Sequence, residues 1–512
     1  MDKLILENFR TYKNRTEIDF APITILTGKN NSGKSTILKA ILLLSDYLNS
    51  DNQLELIFDG PLALKHKIDC MDNALTWNSS FKAFELSFEK EGFNFSFFFG
   101  SNGKNGLLQE AVFYHLSTKS KIKIERLSLN ELSFEVDESF LDSFNYKNTK
   151  RIETEVENLT KTLVQYESEQ SELEEKIGFE ETGSKNYVFF TDQKNQLSER
   201  IKIVQKRISE YKQELKLRTR AKTLVFKQTF SLEEENGYSL TIISLTRRFL
   251  SKYFNSEEFK KKFGAVDQNQ TRNVLFNFPE RLNSALTFIA HHLGPNRTHQ
   301  ARLYLNQNRN MEINEIMADY AHRTPPEGSA AIRFLLKWMD IFEIGSDLRV
   351  RDVQATAAYL EIFNQNRWQN LTDKGFGAGQ VLTILMKICN EINGADIQRY
   401  SFRRAMRFAP IIMIEEPETN LHPYLQSRLS EMFYDAFKQF GIRFILETHS
   451  EYLIRKTQTI INKTNDLEAF KVYYIDNSKG IQEMRYRQDG KFMDEFGPGF
   501  FDESANLAFE LF

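Results

Sequence analysis

The sequence predicts an α/β fold into which a long helical hairpin is inserted. Three patterns carry this prediction: a glycine-rich turn between an apolar strand and an apolar helix at 23–44, a second apolar strand at 411–414, and heptad-spaced apolar residues at 152–215. Continuous apolar strands that alternate with helices are typical of a parallel sheet buried on both faces. With 512 residues, of which 41% are apolar, the chain is long enough for two or three domains with a sizeable core.

The composition excludes several classes of protein. A net charge of −3 argues against a uniformly basic nucleic-acid binder, although it leaves room for local basic surfaces. The two cysteines, Cys70 and Cys389, form no C-x-x-C pair and predict neither a disulfide framework nor a zinc site. No apolar run reaches the roughly 18 to 20 residues that span a bilayer, and the first residues are strand-like rather than a signal peptide. We therefore expect a soluble cytoplasmic protein with no membrane partner.

The turn at 28–36 reads Gly-Lys-Asn-Asn-Ser-Gly-Lys-Ser-Thr and matches the phosphate-binding pattern G-x-x-x-x-G-K-[ST]. Its two glycines let backbone N–H groups approach phosphates, Lys34 would reach the β- and γ-phosphates, and Ser35 would bind Mg²⁺. The alternative, an ordinary Gly/Asn/Ser turn, is disfavoured by the strand before it and the helix after it. The residues predicted to contact a nucleotide are Gly28, Asn30, Asn31, Ser32, Gly33, Lys34, Ser35 and Thr36.

Apolar residues spaced four and three apart recur in two runs on either side of the non-periodic segment 178–189. The first run is Ile152, Val156, Leu159, Leu163, Tyr166, Leu173 and Ile177, and the second is Leu197, Ile201, Val204, Ile208, Tyr211 and Leu215. With the polar Gln170 in register, they predict an antiparallel coiled-coil hairpin with arms roughly 40 Å long at 1.5 Å per residue. The alternative is two ordinary amphipathic helices packed on the body, because three to four heptads only just satisfy the coiled-coil pattern.

The hairpin divides the chain into three predicted segments. An N-terminal lobe at 1–148 contains the phosphate-binding turn, and period-two patterns at 83–89 and 93–99 indicate strands there. The hairpin occupies 149–222. A helical segment and a C-terminal lobe at 223–512 follow, in which we expect a mixed segment at 224–250 and then a mostly helical region up to Leu293.

The strand at 411–414 ends in two adjacent carboxylates, Glu415 and Glu416. Ligands bind at the carboxyl edge of parallel α/β sheets, which is where these side chains would lie. In P-loop ATPases such a strand supplies one carboxylate to the Mg²⁺ shell and a second one that polarises the attacking water. We assign Glu415 to the metal and Glu416 to the water. The alternative is a strand that ends in a solvated acidic turn.

Two weaker patterns complete the candidate site. A further apolar strand at 444–446 leads to His449, at the position where a sensor of the γ-phosphate would lie beside the Glu415 strand. A glycine-rich stretch at 372–380 precedes an apolar helix at 381–388, and free N–H groups at a helix N-terminus bind anions. Taken alone, this stretch is also consistent with a flexible linker.

In this order the four patterns resemble the ATP-binding cassette (ABC) ATPases of the SMC, RecF and RecN kind. The resemblance implies an ABC-type P-loop NTPase head with an inserted hairpin, ATP and Mg²⁺ as cofactors, and an ATP-sandwich dimer or larger homo-oligomer. It assigns Gly377, Gly379 and Gln380 of a degenerate signature loop to the γ-phosphate of a second subunit. The opening segment at 6–12 is similar to the N-terminal strand of this family, which assigns Arg10 to nucleotide binding.

The stretches at 293–297, 415–423 and 497–503 resemble OLD-like ATPases of bacterial antiphage defence, such as the Septu PtuA and PARIS AriA types. OLD nucleases carry a Toprim domain after the ATPase, which needs about 100 residues or more with clustered acidic metal ligands. Only about 60 residues follow His449. We therefore expect an ATPase without its own nuclease that scaffolds or regulates a separate effector nuclease of HNH or Toprim type.

The sequence departs from the wider family at three positions. Glu415 stands where Asp is usual, and Gly377-Ala378-Gly379 stands where Ser-Gly-Gly is usual. The third departure is the lack of a convincing Q-loop. Gln109 and Gln300 are the candidates for its glutamine, and the pattern around each is too weak to assign it.

Two other functions stay open at this point. One is a DNA-repair or DNA-tethering ATPase that binds DNA directly through phosphate contacts. The other is the nucleotide-binding subunit of a membrane transporter, which is disfavoured because transporter ATPases lack the hairpin. The basic residues available for DNA are Arg399, Arg403, Arg404 and Arg407, together with Lys202, Lys206 and Arg207 on the hairpin.

Overall fold

The computed structural model describes residues 1–117, 119–137, 146–220, 225–232, 239–255, 278–298, 301–305, 312–353, 357–400 and 410–510. The chain divides into two compact units. The first comprises Met1–Glu91, Phe98–Leu108 and Ser284–Phe512, and the second comprises Gly92–Phe97 and Gln109–Asn283. The predicted α/β class is confirmed.

The strands are β1 (Lys3–Glu7), β2 (Thr16–Asp19), β3 (Ile23–Gly28), β4 (Glu55–Leu56), β5 (Ala83–Lys90), β6 (Phe93–Asn102), β7 (Asn105–His115), β8 (Ser120–Ser128), β9 (Glu131–Asp137), β10 (Val225–Ser231), β11 (Ala290–Leu293), β12 (Tyr304–Leu305), β13 (Asp347–Val353), β14 (Ala357–Asn364), β15 (Arg367–Asn370), β16 (Ile411–Glu415), β17 (Arg443–Glu447), β18 (Phe470–Asp476) and β19 (Gly480–Glu483). The helices are α1 (Lys34–Leu48), α2 (Ala63–His66), α3 (Met71–Ala74), α4 (Tyr146–Gly178), α5 (Lys185–Arg220), α6 (Ile242–Asn255), α7 (Phe278–Leu286), α8 (Glu312–His322), α9 (Ala330–Ile341), α10 (Phe376–Tyr400), α11 (Pro423–Phe440), α12 (Glu451–Thr464) and α13 (Glu503–Phe509).

A largely parallel sheet organises the first unit. Its strands lie in the order β11, β16, β17, β3, β18 and β19, and each neighbouring pair is parallel except β18 with β19. All six residues of β3 are buried, as expected for a strand covered on both faces. The carboxyl ends of β11, β16, β17 and β3 therefore meet at one edge, and the loops that follow them lie side by side.

Helices cover this sheet and complete the core of the first unit. Helix α1 follows β3 directly, and α11 connects β16 to β17. The buried cluster joins Ile25 of β3 and Leu446 of β17 to Leu385 of α10 and Trp338 of α9. The predicted strands at 83–89 and 93–99 are present as β5 and β6.

The expectation of mostly helical structure up to Leu293 is wrong for residues 290–293. They form β11, which pairs in parallel with β16 through the register Ala290 to Ile411 and Leu293 to Ile414. A four-residue strand has no detectable period, so only its pairing with β16 defines it.

The second unit contains an antiparallel sheet and a pair of long helices. Strand β8 pairs with β9, and β9 pairs with β10. In the chain, α4 and α5 lie between β9 and β10. The two helices run antiparallel, because Gln170 Nε2 donates to Ser198 Oγ at 2.9 Å and Glu174 pairs with Lys194 at 2.8 Å. At 33 and 36 residues they are roughly 50 Å long at 1.5 Å per residue, longer than predicted. Helix formation continues beyond the heptad-spaced residues at both ends.

The predicted segment boundary at 148 lies in the first turn of α4, and the boundary at 222 lies outside the described residues. The compact units divide elsewhere, at residues 91, 97, 108 and 283: β8, β9 and β10, which pair as β8 with β9 and β9 with β10, belong to the same unit as the two helices. None of the described helices is long and apolar enough to cross a membrane.

Candidate functional site

The turn between β3 and α1 requires both of its glycines. Gly28 has φ of 132°, and a Cβ there would lie 2.1 Å from the carbonyl oxygen of Ile475 on the neighbouring strand. Gly33 has φ of 104°, and a Cβ there would lie 2.7 Å from Thr11 Oγ1. These φ values are disfavoured for residues with a side chain. The glycines therefore let the turn pack between β18 and the segment after β1.

Lys34 is the first residue of α1, and its ammonium folds back over the turn. Its Nζ donates to the carbonyl oxygens of Lys29 at 2.7 Å and Gly28 at 3.2 Å. Burial lowers the pKa of Lys34, while the carboxylates of Glu447 and Glu416 oppose the shift. Helix α1 has no side-chain hydrogen bond at its N-cap. The turn, the helix N-terminus and a cation thus converge as an anion site requires.

The other residues of the turn differ in exposure. Asn30 and Asn31 are exposed, whereas Ser32 and Thr36 are buried. Among the described residues Ser32 Oγ has no hydrogen-bond partner. A buried hydroxyl without a partner is uncommon and fits a position that meets a ligand.

Glu447 ends β17 and lies beside Glu415, which ends β16 in the same register. The hydroxyl of Ser35 donates to Glu447 Oε1 at 3.0 Å. Burial raises the pKa of Glu447 to about 7, although the bond from Ser35 opposes the shift, and the nearby Glu415 adds to it. The second oxygen, Oε2, is buried and has no partner among the described residues.

Glu415 is held by a different neighbour. Its Oε1 accepts from His292 Nε2 at 2.7 Å, and His292 lies on β11. Burial favours the neutral acid, but the His292 hydrogen bond outweighs it together with the charges of Lys39 and Lys67, so that the pKa of Glu415 is lowered. The Ser35 hydroxyl therefore bonds to Glu447 and not to Glu415. Glu415 is ionised and stabilised by its hydrogen bond from His292 and by the nearby charges of Lys39 and Lys67.

Glu416 has a strained backbone and an exposed side chain. Its φ is 46°, its N–H donates to the carbonyl of Glu447 at 2.7 Å, and its Oε2 accepts from Thr419 Oγ1 at 3.2 Å. A left-handed conformation is uncommon for glutamate and clusters at functional sites. The arrangement turns the carboxylate out of the sheet edge, where water can reach it.

His449 follows β17 at the same edge. Its backbone N–H donates to Oε1 of the half-buried Glu418 at 2.8 Å. Burial lowers the pKa of His449, and the charge of Lys34 lowers it further, while Glu416 opposes both. The imidazole is therefore neutral at physiological pH and lies within the electrostatic reach of Lys34 and Glu416.

Arg297 links Gln380 to the backbone of Glu415 and Glu416. Its side chain is 1% exposed, Nη1 donates to Gln380 Oε1 at 2.6 Å, and Nη2 donates to the carbonyl oxygens of Glu415 and Glu416, each at 2.7 Å. Burial lowers the pKa of Arg297 to about 10, so it stays protonated at neutral pH. Gln380 also donates to the carbonyl of Pro295 at 3.2 Å.

The structure does not bring the Gln380 side chain to the phosphate-binding turn. It is fully buried and holds Arg297. The two signature glycines allow close packing: a Cβ on Gly377 would lie 2.4 Å from the carbonyl oxygen of Asn420, and a Cβ on Gly379 would lie 3.1 Å from Thr298 Oγ1. The N-terminal turn of α10 is therefore fitted against the loop after β16.

Arg10 lies near the turn but is tied to a neighbouring loop. Its φ is 49°, and its Nη1 donates to the carbonyl of Asn73 at 3.1 Å. Burial lowers the pKa of Arg10. The next residues reach the turn itself, because Tyr12 OH donates to the carbonyl of Gly33 at 3.1 Å.

Several other predicted residues lie away from this site or outside the described part of the chain. Gln109 is half-buried on β7, and Lys202, Lys206 and Arg207 are exposed on α5, where Lys202 pairs with Glu199 at 2.8 Å. Gln300, Arg403, Arg404, Arg407 and the side chain of Arg399 lie outside the described residues.

Sequence reasoning missed His292, Arg297 and Glu447. Glu447 follows an apolar strand, the same signal that identified Glu415, and could have been found by it. Arg297 lies in a stretch that was singled out by resemblance without a role. His292 had no signal, since β11 itself was not predicted.

The arrangement fits a magnesium nucleotide. A cation, a helix N-terminus and the unpartnered Ser32 Oγ suit phosphates, while Ser35 and an acidic edge suit a hard cation with oxygen ligands. Within the described ranges no group of three or more His, Cys, Asp or Glu side chains could hold a metal by itself. Mg²⁺ usually binds through one or two carboxylates together with substrate phosphates, so no such group is needed.

A family model described as the AAA ATPase domain matches residues 1–454. The chain belongs to the AAA ATPase domain family. Among curated proteins, the lipoprotein-releasing system ATP-binding protein LolD of Bacteroides fragilis (strain YCH46) is 32% identical to this AAA ATPase over 74 residues, which are 14% of this chain and 34% of LolD. The chain thus spans about a third of the length of that relative.

Two solved structures are similar over most of their length. The Smc head domain of Pyrococcus furiosus, bound to the C-terminal domain of ScpA, is 10% identical with a TM-score of 0.34 and covers 100% of this AAA ATPase and 98% of its own chain. The SMC head domain from Thermotoga maritima is 11% identical with a TM-score of 0.33, and the match covers 95% of this AAA ATPase and 98% of the Thermotoga maritima chain. At these values the likeness gives no information on function.

The Gly28→Ala variant should unfold at lower urea concentration than the parent. The added Cβ would meet a backbone oxygen of a paired strand that cannot yield without breaking the ladder, and overpacking of this kind costs about 1–3 kcal/mol beyond the strain of positive φ. Gly441→Ala is the matched control, because Gly441 has φ of 74° but open space around it. Equal losses for both variants would show that the contact with Ile475 does not constrain the turn.

The Arg297→Met variant should lose about 3 kcal/mol or more of unfolding free energy, because hydrogen bonds to a charged group contribute about 1.5–3 kcal/mol each and their acceptors would be left buried. Arg302→Met is the control, since its pair with Asp373 at 2.7 Å is exposed and such pairs contribute about 0–1 kcal/mol. Urea denaturation of both variants measures the difference. A loss for Arg297→Met no larger than that for Arg302→Met contradicts this account.

Proposed function

We propose that this AAA ATPase binds ATP with Mg²⁺ and hydrolyses it at the carboxyl edge of its parallel sheet. The observation that carries the proposal is the convergence on one edge of the Lys34 turn and the exposed carboxylate of Glu416. Phosphoryl transfer depends mainly on positioning and on stabilisation of charge. The bound Mg²⁺ would supply positive charge to the β- and γ-phosphate oxygens.

The roles of the side chains follow from their surroundings. Lys34 neutralises phosphate charge, because its ammonium lies directly over the turn. Glu416 orients the attacking water and accepts its proton, because its carboxylate is exposed and fixed by Thr419. His449 is neutral, lies within the electrostatic reach of Lys34 and Glu416, and hydrogen-bonds the γ-phosphate. Glu415 and Ser35 were assigned to the metal from the sequence, and that assignment is refined below.

We extend the proposal to assembly and biological role. The resemblance to ABC ATPases supports an ATP-sandwich dimer or larger homo-oligomer, with backbone N–H groups near Gly377 and Gly379 at the phosphate of the partner. The stretch at 415–423 supports a role in a bacterial antiphage system in which this chain scaffolds or regulates a separate effector nuclease. The unpaired cysteines Cys70 and Cys389 are consistent with the cytoplasm.

Direct DNA binding is a second candidate, of the RecF, RecN or SMC kind. The observation that favours it is the exposed basic stretch with Lys206 and Arg207 on α5. Phosphate contacts make affinity fall steeply with salt. A DNA affinity that is independent of salt, or ATP hydrolysis that DNA leaves unchanged, counts against this candidate.

The Lys34→Ala variant should lose ATP binding, measured by titration calorimetry, because it removes the ammonium that folds back over the turn. Thermal melting of the same variant shows whether it is folded. A folded Lys34→Ala protein that binds ATP as tightly as the parent places the phosphates elsewhere.

The Glu416→Gln variant should bind ATP but release phosphate about 10²–10⁴-fold more slowly, as expected for loss of a general base. It should also accumulate the ATP-bound dimer in light scattering. Glu468→Gln, an exposed glutamate away from the sheet edge, is the control and should hydrolyse ATP at the parental rate. Hydrolysis by Glu416→Gln at the parental rate would remove Glu416 from the mechanism.

A further inference from the structure

Three carboxylates lie at the edge beside the phosphate-binding turn, and each has a different partner. Glu415 accepts from His292 at 2.7 Å, and Glu416 is exposed and accepts from Thr419 at 3.2 Å. Glu447 alone among them accepts from the hydroxyl of Ser35, at 3.0 Å. In a P-loop the Ser or Thr at this position is the protein hydroxyl that binds Mg²⁺.

The second oxygen of Glu447 is without a partner among the described residues. Oε2 is buried, and a buried acceptor left unsatisfied costs about 1–3 kcal/mol. Such an oxygen invites a donor or a cation from a ligand. Glu447 pairs with Glu415 in the sheet register, and its carbonyl accepts the N–H of Glu416 at 2.7 Å, so it adjoins both of the other acidic residues.

Glu415 is less suited to a metal than its place after β16 suggests. The His292 ring nitrogen already occupies one of its oxygens, at 2.7 Å. The carbonyl oxygen of Glu415 is also taken, by Arg297. These contacts hold the side chain and the backbone of Glu415 in place beside the site.

We propose that Glu447 supplies the protein carboxylate of the Mg²⁺ shell together with Ser35, and that Glu415 is a positioning residue held by His292. The inference rests on the proposed function, because it concerns the ion that would accompany ATP. The carboxylate of the Mg²⁺ shell then comes from β17 and not, as predicted from the sequence, from β16. Mg²⁺ keeps several waters in such sites, so Glu447 acts on the ion or on a water bound to it.

The test uses Mn²⁺ in place of Mg²⁺ and the non-hydrolysable nucleotide AMPPNP, with the full chain. Electron paramagnetic resonance of free Mn²⁺ measures the affinity of the ion for the protein–AMPPNP complex. Glu447→Gln should weaken that affinity about 10- to 100-fold, the usual effect of losing a partner of the metal shell. The glutamine keeps an oxygen that can accept from Ser35, so the fold is preserved. Glu447→Asp should give a smaller loss.

Glu415→Gln is the matched comparison, and its Mn²⁺ affinity should change less than that of Glu447→Gln. Both variants should still bind AMPPNP in EDTA, which separates a metal effect from a folding defect. Equal losses, or a larger loss in Glu415→Gln, overturn the inference and leave the proposed ATPase function standing. If the parent itself binds no AMPPNP in the presence of Mn²⁺, the proposed function fails and the inference fails with it.

If Glu447→Gln does not fold, Glu447→Asp and Ser35→Ala decide the matter by a double-substitution cycle. Residues that share one ion give losses of Mn²⁺ affinity that are not additive. Additive losses show that Ser35 and Glu447 act separately and overturn the inference.

Discussion

The candidate site depends on one buried guanidinium, that of Arg297. Burying a charge is costly unless it is hydrogen-bonded, and here the side-chain oxygen of Gln380 and two backbone carbonyls accept from the terminal nitrogens, while Nε has no partner among the described residues. Those carbonyls belong to Glu415 and Glu416. Arg297 thereby secures a backbone that turns left-handed at Glu416, where a residue with a side chain is disfavoured. The direction of the Glu416 carboxylate is consequently linked to the start of α10.

The neighbours of the acidic residues divide their roles. Glu415 is kept ionised by His292, Lys39 and Lys67, whereas burial and adjacent carboxylates raise the pKa of Glu447 to about 7. Glu418 is half-buried, loss of solvent around its carboxyl raises its pKa, and it accepts the N–H of His449. Similar side chains on one sheet edge thus differ in charge and accessibility, because each faces a different strand or loop.

The α/β class, the glycine-containing turn at 28–36 and the long helices follow from the sequence, because each has a strong local pattern. The glycine spacing predicted a close approach of phosphates, whereas the contacts that require Gly28 and Gly33 in the structure, with Ile475 and Thr11, were not indicated by it. The heptads from Ile152 onward identify α4. The features that the sequence did not predict depend on contacts between distant parts of the chain. Strand β11 is defined only by its register with β16, and it brings His292 to Glu415. The link from Arg297 to Gln380 joins a loop to the first turns of α10 over 83 residues of sequence, for which no local pattern exists.

The most direct test of this account is an experimental structure of the Glu416→Gln variant with ATP and Mg²⁺. The account predicts phosphates cradled by residues 28–36 beneath Lys34, with the ion between Ser35 Oγ and Glu447 and with Arg297 still bound to Gln380. A nucleotide bound elsewhere would contradict the proposed site. An ion held by Glu415, with His292 displaced, would contradict the role given to Glu447.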